Sequence, residues 1–111
     1  MGKRTYRVLW VPGATQDLVD IGSYIALDSP ANAMNVIKRI QQRASTLTTM
    51  PARGRILAEG KFLGETRWRE LIVRPYRIIY AIDDDSVKVL AIIDSRREFE
   101  DVLFEIVSRS P

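Results

Sequence analysis

The sequence predicts an α+β fold, a small antiparallel sheet with a hairpin of two helices packed across one face. Three observations carry this reading. Helical and strand-like periods are segregated along the chain, three short strand runs follow one another between residues 67 and 93, and 111 residues suit a single domain, expected to span 1–111.

The elements follow in order. Residues 6–11 (Tyr-Arg-Val-Leu-Trp-Val) are aromatic and β-branched and stop at Pro12-Gly13, which predicts a first strand. Leu18, Ile21 and Ile25 then recur at helical spacing, with Gln16, Asp17, Asp20 and Ser23 on the other side, so residues 14–27 read as an amphipathic helix. Asp28-Ser29-Pro30 breaks it. Ser29 suits an N-cap and Pro30 the first helical position, and Met34, Ile37, Ile40, Ala44 and Leu47 form the stripe of a second, antiparallel helix. Residues 51–65 carry Gly54, Gly60 and Gly64 with no sustained period and read as a long loop. Strands are expected at 67–73, 76–82 and 87–93, joined by Arg74-Pro75 and by the acidic turn Asp83-Asp84-Asp85-Ser86. Phe99, Val102, Leu103 and Ile106 restore helical spacing and predict a last helix over 96–108, giving the order β-α-α-β-β-β-α.

Composition narrows the chemistry. With neither cysteine nor histidine, disulfides, thiolate metal sites and the usual serine, cysteine and zinc hydrolase mechanisms are excluded, leaving arginine, lysine, carboxylate and tyrosine. No cofactor or metal is expected, and the three consecutive aspartates read as a solvated turn because they lack the EF-hand spacing. The balance of 17 basic to 14 acidic residues gives +3 and a pI near 9.5. Its distribution is uneven: Lys38, Arg39, Arg43, Arg53, Arg55 and Lys61 crowd the middle of the chain, while acid gathers after Asp83. No signal peptide or membrane span is read, so a cytoplasmic protein is expected.

Four arginines are candidates for meeting a target or an anion. Arg69 and Arg77 lie on neighbouring strands: a two-residue loop at Arg74-Pro75 places them on opposite faces of the sheet, a three-residue loop on the same face. Ser95-Arg96-Arg97-Glu98 fits a capping box, which would set Arg96 and Arg97 in the first helical turn, where the macrodipole disfavours cations. Either the acidic neighbours Asp94, Glu98 and Asp101 offset that cost or an anion lies there.

The string Arg69-Glu-Leu-Ile-Val-Arg-Pro-Tyr-Arg-Ile-Ile-Tyr80, the acidic turn, Val87-Lys-Val-Leu-Ala-Ile-Ile93 and the Ser95-Arg96-Arg97 element together resemble the RelE/ParE toxin superfamily of bacterial toxin–antitoxin systems. The likeness extends over nearly the whole chain, through Pro12, Asp17-Leu18, Asp28-Ser29-Pro30, Pro51 and Gly54-Arg55. It is closer to the ParE branch, by the helical hairpin and the Val-x-x-Tyr-x-Ile-x-Tyr pattern from Val73 to Tyr80. The resemblance implies the toxin of a type II system, inhibiting DNA gyrase by binding and neutralised by a cognate antitoxin in a hetero-oligomer. Phe99, Leu103 and Ile106 are candidates for the antitoxin surface.

The ribonuclease branch implies an alternative, messenger RNA cleavage on the ribosome, with Arg77 and Arg97 as the matching catalytic residues. Against it, Trp68 and Glu70 stand near the places of the family's lysines, and Leu103 occupies the position six residues after Arg97 where a tyrosine would transfer a proton. A third reading is a non-toxic member that only binds its antitoxin.

Overall fold

In the computed structural model, residues 4–109 are described; residues 1–3, part of the stretch read for a leader, and 110–111 lie outside them. The elements are β1 (Arg7–Trp10), α1 (Pro12–Ala26), α2 (Pro30–Ser45), β2 (Arg55–Ile56), α3 (Ala58–Phe62), β3 (Trp68–Val73), β4 (Tyr76–Ile82), β5 (Ser86–Asp94) and α4 (Phe99–Arg109). They build one five-stranded sheet in the order β1-β5-β4-β3-β2. β1 runs parallel to β5, and the other pairs are antiparallel.

The predicted α+β order is present, with one correction. Residues 51–65 are not a plain loop: a 3₁₀ turn over Pro51–Arg53 opens the segment, β2 pairs with β3, and α3 follows. Short elements of two and five residues are too brief to show a period, which hid them in the sequence. The first helix also begins earlier than expected, with Pro12 in its first turn, where a missing N–H leaves no bond unmade.

The helical hairpin forms as its punctuation dictates. Ser29 Oγ accepts from Asn32 N at 3.1 Å and caps α2, with Pro30 next in line. Gly22 lets α1 and α2 close on each other, since a Cβ there would stand 2.5 Å from Ile37 Cδ1. Across the sheet, the hairpin and the 3₁₀ turn after it bury Leu18, Val36, Ile40 and Leu47 against Leu71, Val73, Ile78 and Tyr80. Each such aliphatic side chain stabilises the fold by roughly 1.5–3 kcal/mol.

The opposite face carries a smaller cluster, in which Val102 and Ile106 of α4 meet Trp68, Ile79, Leu90, Ala91 and Ile93. A bulge explains why two successive residues of β5 serve this face. Ile79 pairs with Ala91 but Tyr80 with Val89, so Leu90 is the extra residue and points the same way as Ala91. The strand alternation 78/80 toward the hairpin and 77/79 toward α4 fixes where every charged residue of the sheet ends up.

Candidate functional site

The turn between β3 and β4 decides the arginine question. Val73 pairs with Tyr76, so the loop has two residues, and Arg69 (opposite Tyr80) and Arg77 (opposite Ile72) stand on opposite faces of the sheet. Arg69, on the hairpin side, donates from Nη1 to the carbonyls of Gly54 at 2.7 Å and Ala52 at 3.3 Å. It braces the segment before β2. Tyr80 grips the same segment: its hydroxyl donates to Pro51 O at 2.7 Å and accepts from Gly54 N at 2.9 Å, and burial raises its pKa. Gly54 is needed here because a Cβ would meet Glu70 O and the Tyr80 hydroxyl, each at 2.5 Å.

Arg77, on the α4 side, is buried between two carboxylates. Nε donates to Glu70 Oε1 at 2.8 Å, and Nη1 and Nη2 grip both oxygens of Glu59 at 3.1 and 2.8 Å. Glu59 and Glu70 are each 4 % exposed, and Glu70 also accepts from Arg55 Nε at 3.0 Å. Burial pulls the Arg77 pKa down, the hydrogen bonds to Glu59 and Glu70 push it up, and the net shift is upward. The guanidinium is thus charged, bonded through each of its three nitrogens and locally neutralised. Glu59 comes from α3, the element that sequence periodicity did not reveal, so this cluster was not legible before folding.

The capping box at Ser95 does not form. α4 begins at Phe99, Ser95 N donates to Pro75 O at 2.8 Å, and Glu98 O accepts from Val102 N at 3.1 Å. Arg96 and Arg97 therefore precede the helix in a turn. Asp94 organises that turn, accepting from Arg96 N at 2.9 Å and from the guanidinium at 3.0 and 2.8 Å. Of the two readings of these arginines, the acidic neighbour holds for Arg96, and its hydrogen bonds draw the Asp94 pKa down to about 2. Arg97 is exposed. Asp17, Asp20 and Asp94 line the shallow concavity that Arg96 and Arg97 share with Tyr24 and Tyr76.

The expected antitoxin residues divide. Ile106 is fully buried in the core beneath α4 and offers no surface, because the helix face that sets the period is the one laid on the sheet. Leu103 is half-buried, while Phe99 is 39 % exposed and stacks edge-on to Phe62 with centroids 5.7 Å apart. The outward apolar residues of this end are Phe62, Leu63, Phe104 and Val107, of which the sequence reading had singled out none. Arg109 closes α4, clasping both oxygens of Asp17 at 2.6 and 3.0 Å and donating to Leu90 O at 2.9 Å.

A two-helix hairpin on a mostly antiparallel sheet, with Arg77, Glu59 and Glu70 as its buried charges, defines a small α+β protein of the RelE/ParE-like fold. The family model described as the ParE toxin of the type II toxin–antitoxin system parDE matches residues 8–99, and the chain belongs to that family. It is 34 % identical over 97 residues to a Sinorhizobium fredii protein named as toxin Y4kP, covering 87 % of this chain and 96 % of that one. It is likewise 34 % identical over 92 residues to toxin RelE2 of Caulobacter vibrioides, covering 82 % and 97 %. Among solved structures, the chromosomal ParDE system of P. aeruginosa superposes with a TM-score of 0.69 at 19 % identity, over 81 % of this chain and 96 % of that one. A mutant of the E. coli toxin RelE in the free state superposes at 0.65 with 16 % identity, over 96 % and 99 %. The protein is the toxin of a type II toxin–antitoxin system, which implies an antitoxin partner. No helix among the described residues is long and apolar enough to cross a membrane.

Proposed function

We propose that this toxin acts by binding and inhibiting DNA gyrase, without cutting RNA, and is neutralised by a cognate antitoxin. The observation that carries the reading is the state of Arg77. Cleavage of a phosphodiester by its own 2′-OH needs preorganised positive charge at the phosphorus and groups to move two protons. Arg77, the sheet arginine that matches the ribonuclease set, is buried and spends its Nε and both Nη groups on Glu59 and Glu70. Arg97 lies exposed in a turn whose concavity is lined by three aspartates. The position six residues after Arg97, where the family's tyrosine would transfer a proton, is Leu103, a hydrocarbon side chain. Membership in the ParE family agrees with this choice.

Ribosome-dependent cleavage is the competing reading, favoured by the similarity to a relative named RelE2. Gyrase supercoiling and ribosome-programmed cleavage assays on the same preparation separate the two. Loss of supercoiling with intact messenger RNA is expected; codon-dependent cleavage with gyrase unaffected would reverse the assignment. A protein inert in both assays and harmless when overexpressed would be a member that only binds its antitoxin.

A further inference from the structure

β2 is only two residues long, so the outer edge of β3 is uncovered from Ile72 onward. There the surface opens into a groove of about 830 Å³, walled by Arg39, Gln42 and Arg43 of α2 and floored by Ile72, Val73 and Arg74. Arg39 and Arg43 are one helical turn apart, about 6 Å along the axis, on the same side of α2. Among the described residues no carboxylate forms an ion pair with Arg39, Arg43 or Arg74, although eight such pairs exist elsewhere. Arg55, at the groove's end, is by contrast tied to Glu70. Arg43 Nε is also a buried donor with no hydrogen-bond partner among the described residues.

The groove therefore presents donors and uncompensated positive charge. A matching ligand is anionic and rich in acceptors, with few donors of its own, which describes a phosphodiester backbone. An acidic peptide added as an extra strand fits less well. Strand addition needs a run of free backbone groups, and the Arg74 carbonyl is already taken by Arg39 Nη2 at 2.7 Å, which leaves Ile72 alone on that edge. Unstacked bases would find no platform either, because no aromatic side chain lines the groove. A duplex needs no such platform, since its bases are already stacked and its phosphates face outward.

We propose that this groove seats the backbone of duplex DNA without reading its sequence, Arg39, Arg43 and Arg74 each neutralising a phosphate. The proposal holds whatever the toxin's target is, because it concerns direct binding by the chain alone.

Fluorescence anisotropy of the purified chain with a mixed-sequence DNA duplex tests it. Three phosphate contacts predict a slope of about −2.7 for log K against log salt, so affinity should fall about 40-fold between 50 and 200 mM salt. Arg43→Gln and Arg74→Gln should each make the slope shallower by about 0.9, Arg43→Lys and Arg74→Lys should restore it, and Lys61→Gln, an exposed residue of α3, should change binding least. Near-UV circular dichroism verifies that each variant is folded. Parent-like affinity and slope in the folded Arg39→Gln/Arg43→Gln/Arg74→Gln variant would overturn the proposal. Tighter binding of a single-stranded oligonucleotide or of a polyglutamate peptide through the same arginines would overturn the choice of duplex.

Discussion

The two faces of the sheet solve the same problem in different ways. On the hairpin side, two helices of 15 and 16 residues lay a continuous apolar surface on Leu71, Val73, Ile78 and Tyr80. On the other side an 11-residue helix covers less, and the remaining area is filled by a buried set of charges around Arg77. Apolar packing tolerates loss by degrees, whereas a buried charge network is stable only when complete. The α4 face is therefore the one where a single substitution can do the most harm.

Arg77→Ala should give the largest effect. It strands Glu59 and Glu70 as unpaired buried carboxylates, and a destabilisation of about 3–5 kcal/mol is expected in denaturant unfolding. Replacing the cluster together, as Arg77→Met with Glu59→Leu and Glu70→Leu, should recover most of that loss. If the recovered protein still inhibits gyrase, the network is structural; a folded but inactive variant would assign Arg77 a direct part in toxicity and break the distinction between the faces.

Ile40→Ala, at a fully buried hairpin position, comes next, with about 2–5 kcal/mol lost by the same measurement. A loss greater than that of Arg77→Ala would show that the hairpin side is the more fragile. Arg109→Ala sharpens the comparison from the helix end. It releases the clasp on Asp17 and Leu90 O and should cost about 1–3 kcal/mol, with amide exchange accelerated in α4 well before α1 or α2. Uniform acceleration across both faces would mean that the sheet unfolds as one unit.

The smallest effect is a pH dependence. Hydrogen bonds from Arg67 lower the Glu65 pKa from 4.5 to about 2, and those from Arg96 lower the Asp94 pKa from 3.8 to about 2. Both folded values lie below the ordinary ones, so the stabilisation is complete at neutral pH and fades as pH falls from about 4.5 toward 2. Both pairs face solvent and the contribution is small. Acid titration of the thermal midpoint should decline less steeply in Glu65→Gln and Asp94→Asn than in the parent.

Much of the architecture could be read before folding because it rests on local rules. Ser29-Pro30 is a helix start wherever it stands, and the Leu18, Ile21, Ile25 stripe has one way to lie on a sheet. The same period misled at Ile106, which belongs to the face α4 buries, and capping logic misled at Ser95, whose N–H is drawn to Pro75 O across the β3–β4 turn. The basic run through the middle of the chain can be read from the sequence, but not which of its members stay free of carboxylates.

By itself the sequence determined the order of elements, the exclusion of histidine and cysteine chemistry, and the family resemblance, because periodicity, composition and short motifs are properties of neighbours along the chain. Only the tertiary structure decided which arginines are available. A one-residue difference in the loop sets Arg69 and Arg77 on opposite faces, a five-residue helix brings Glu59 to Arg77, and the brevity of β2 leaves Arg39, Arg43 and Arg74 around an open groove. Those outcomes depend on register and on contacts between distant segments, which no local pattern encodes.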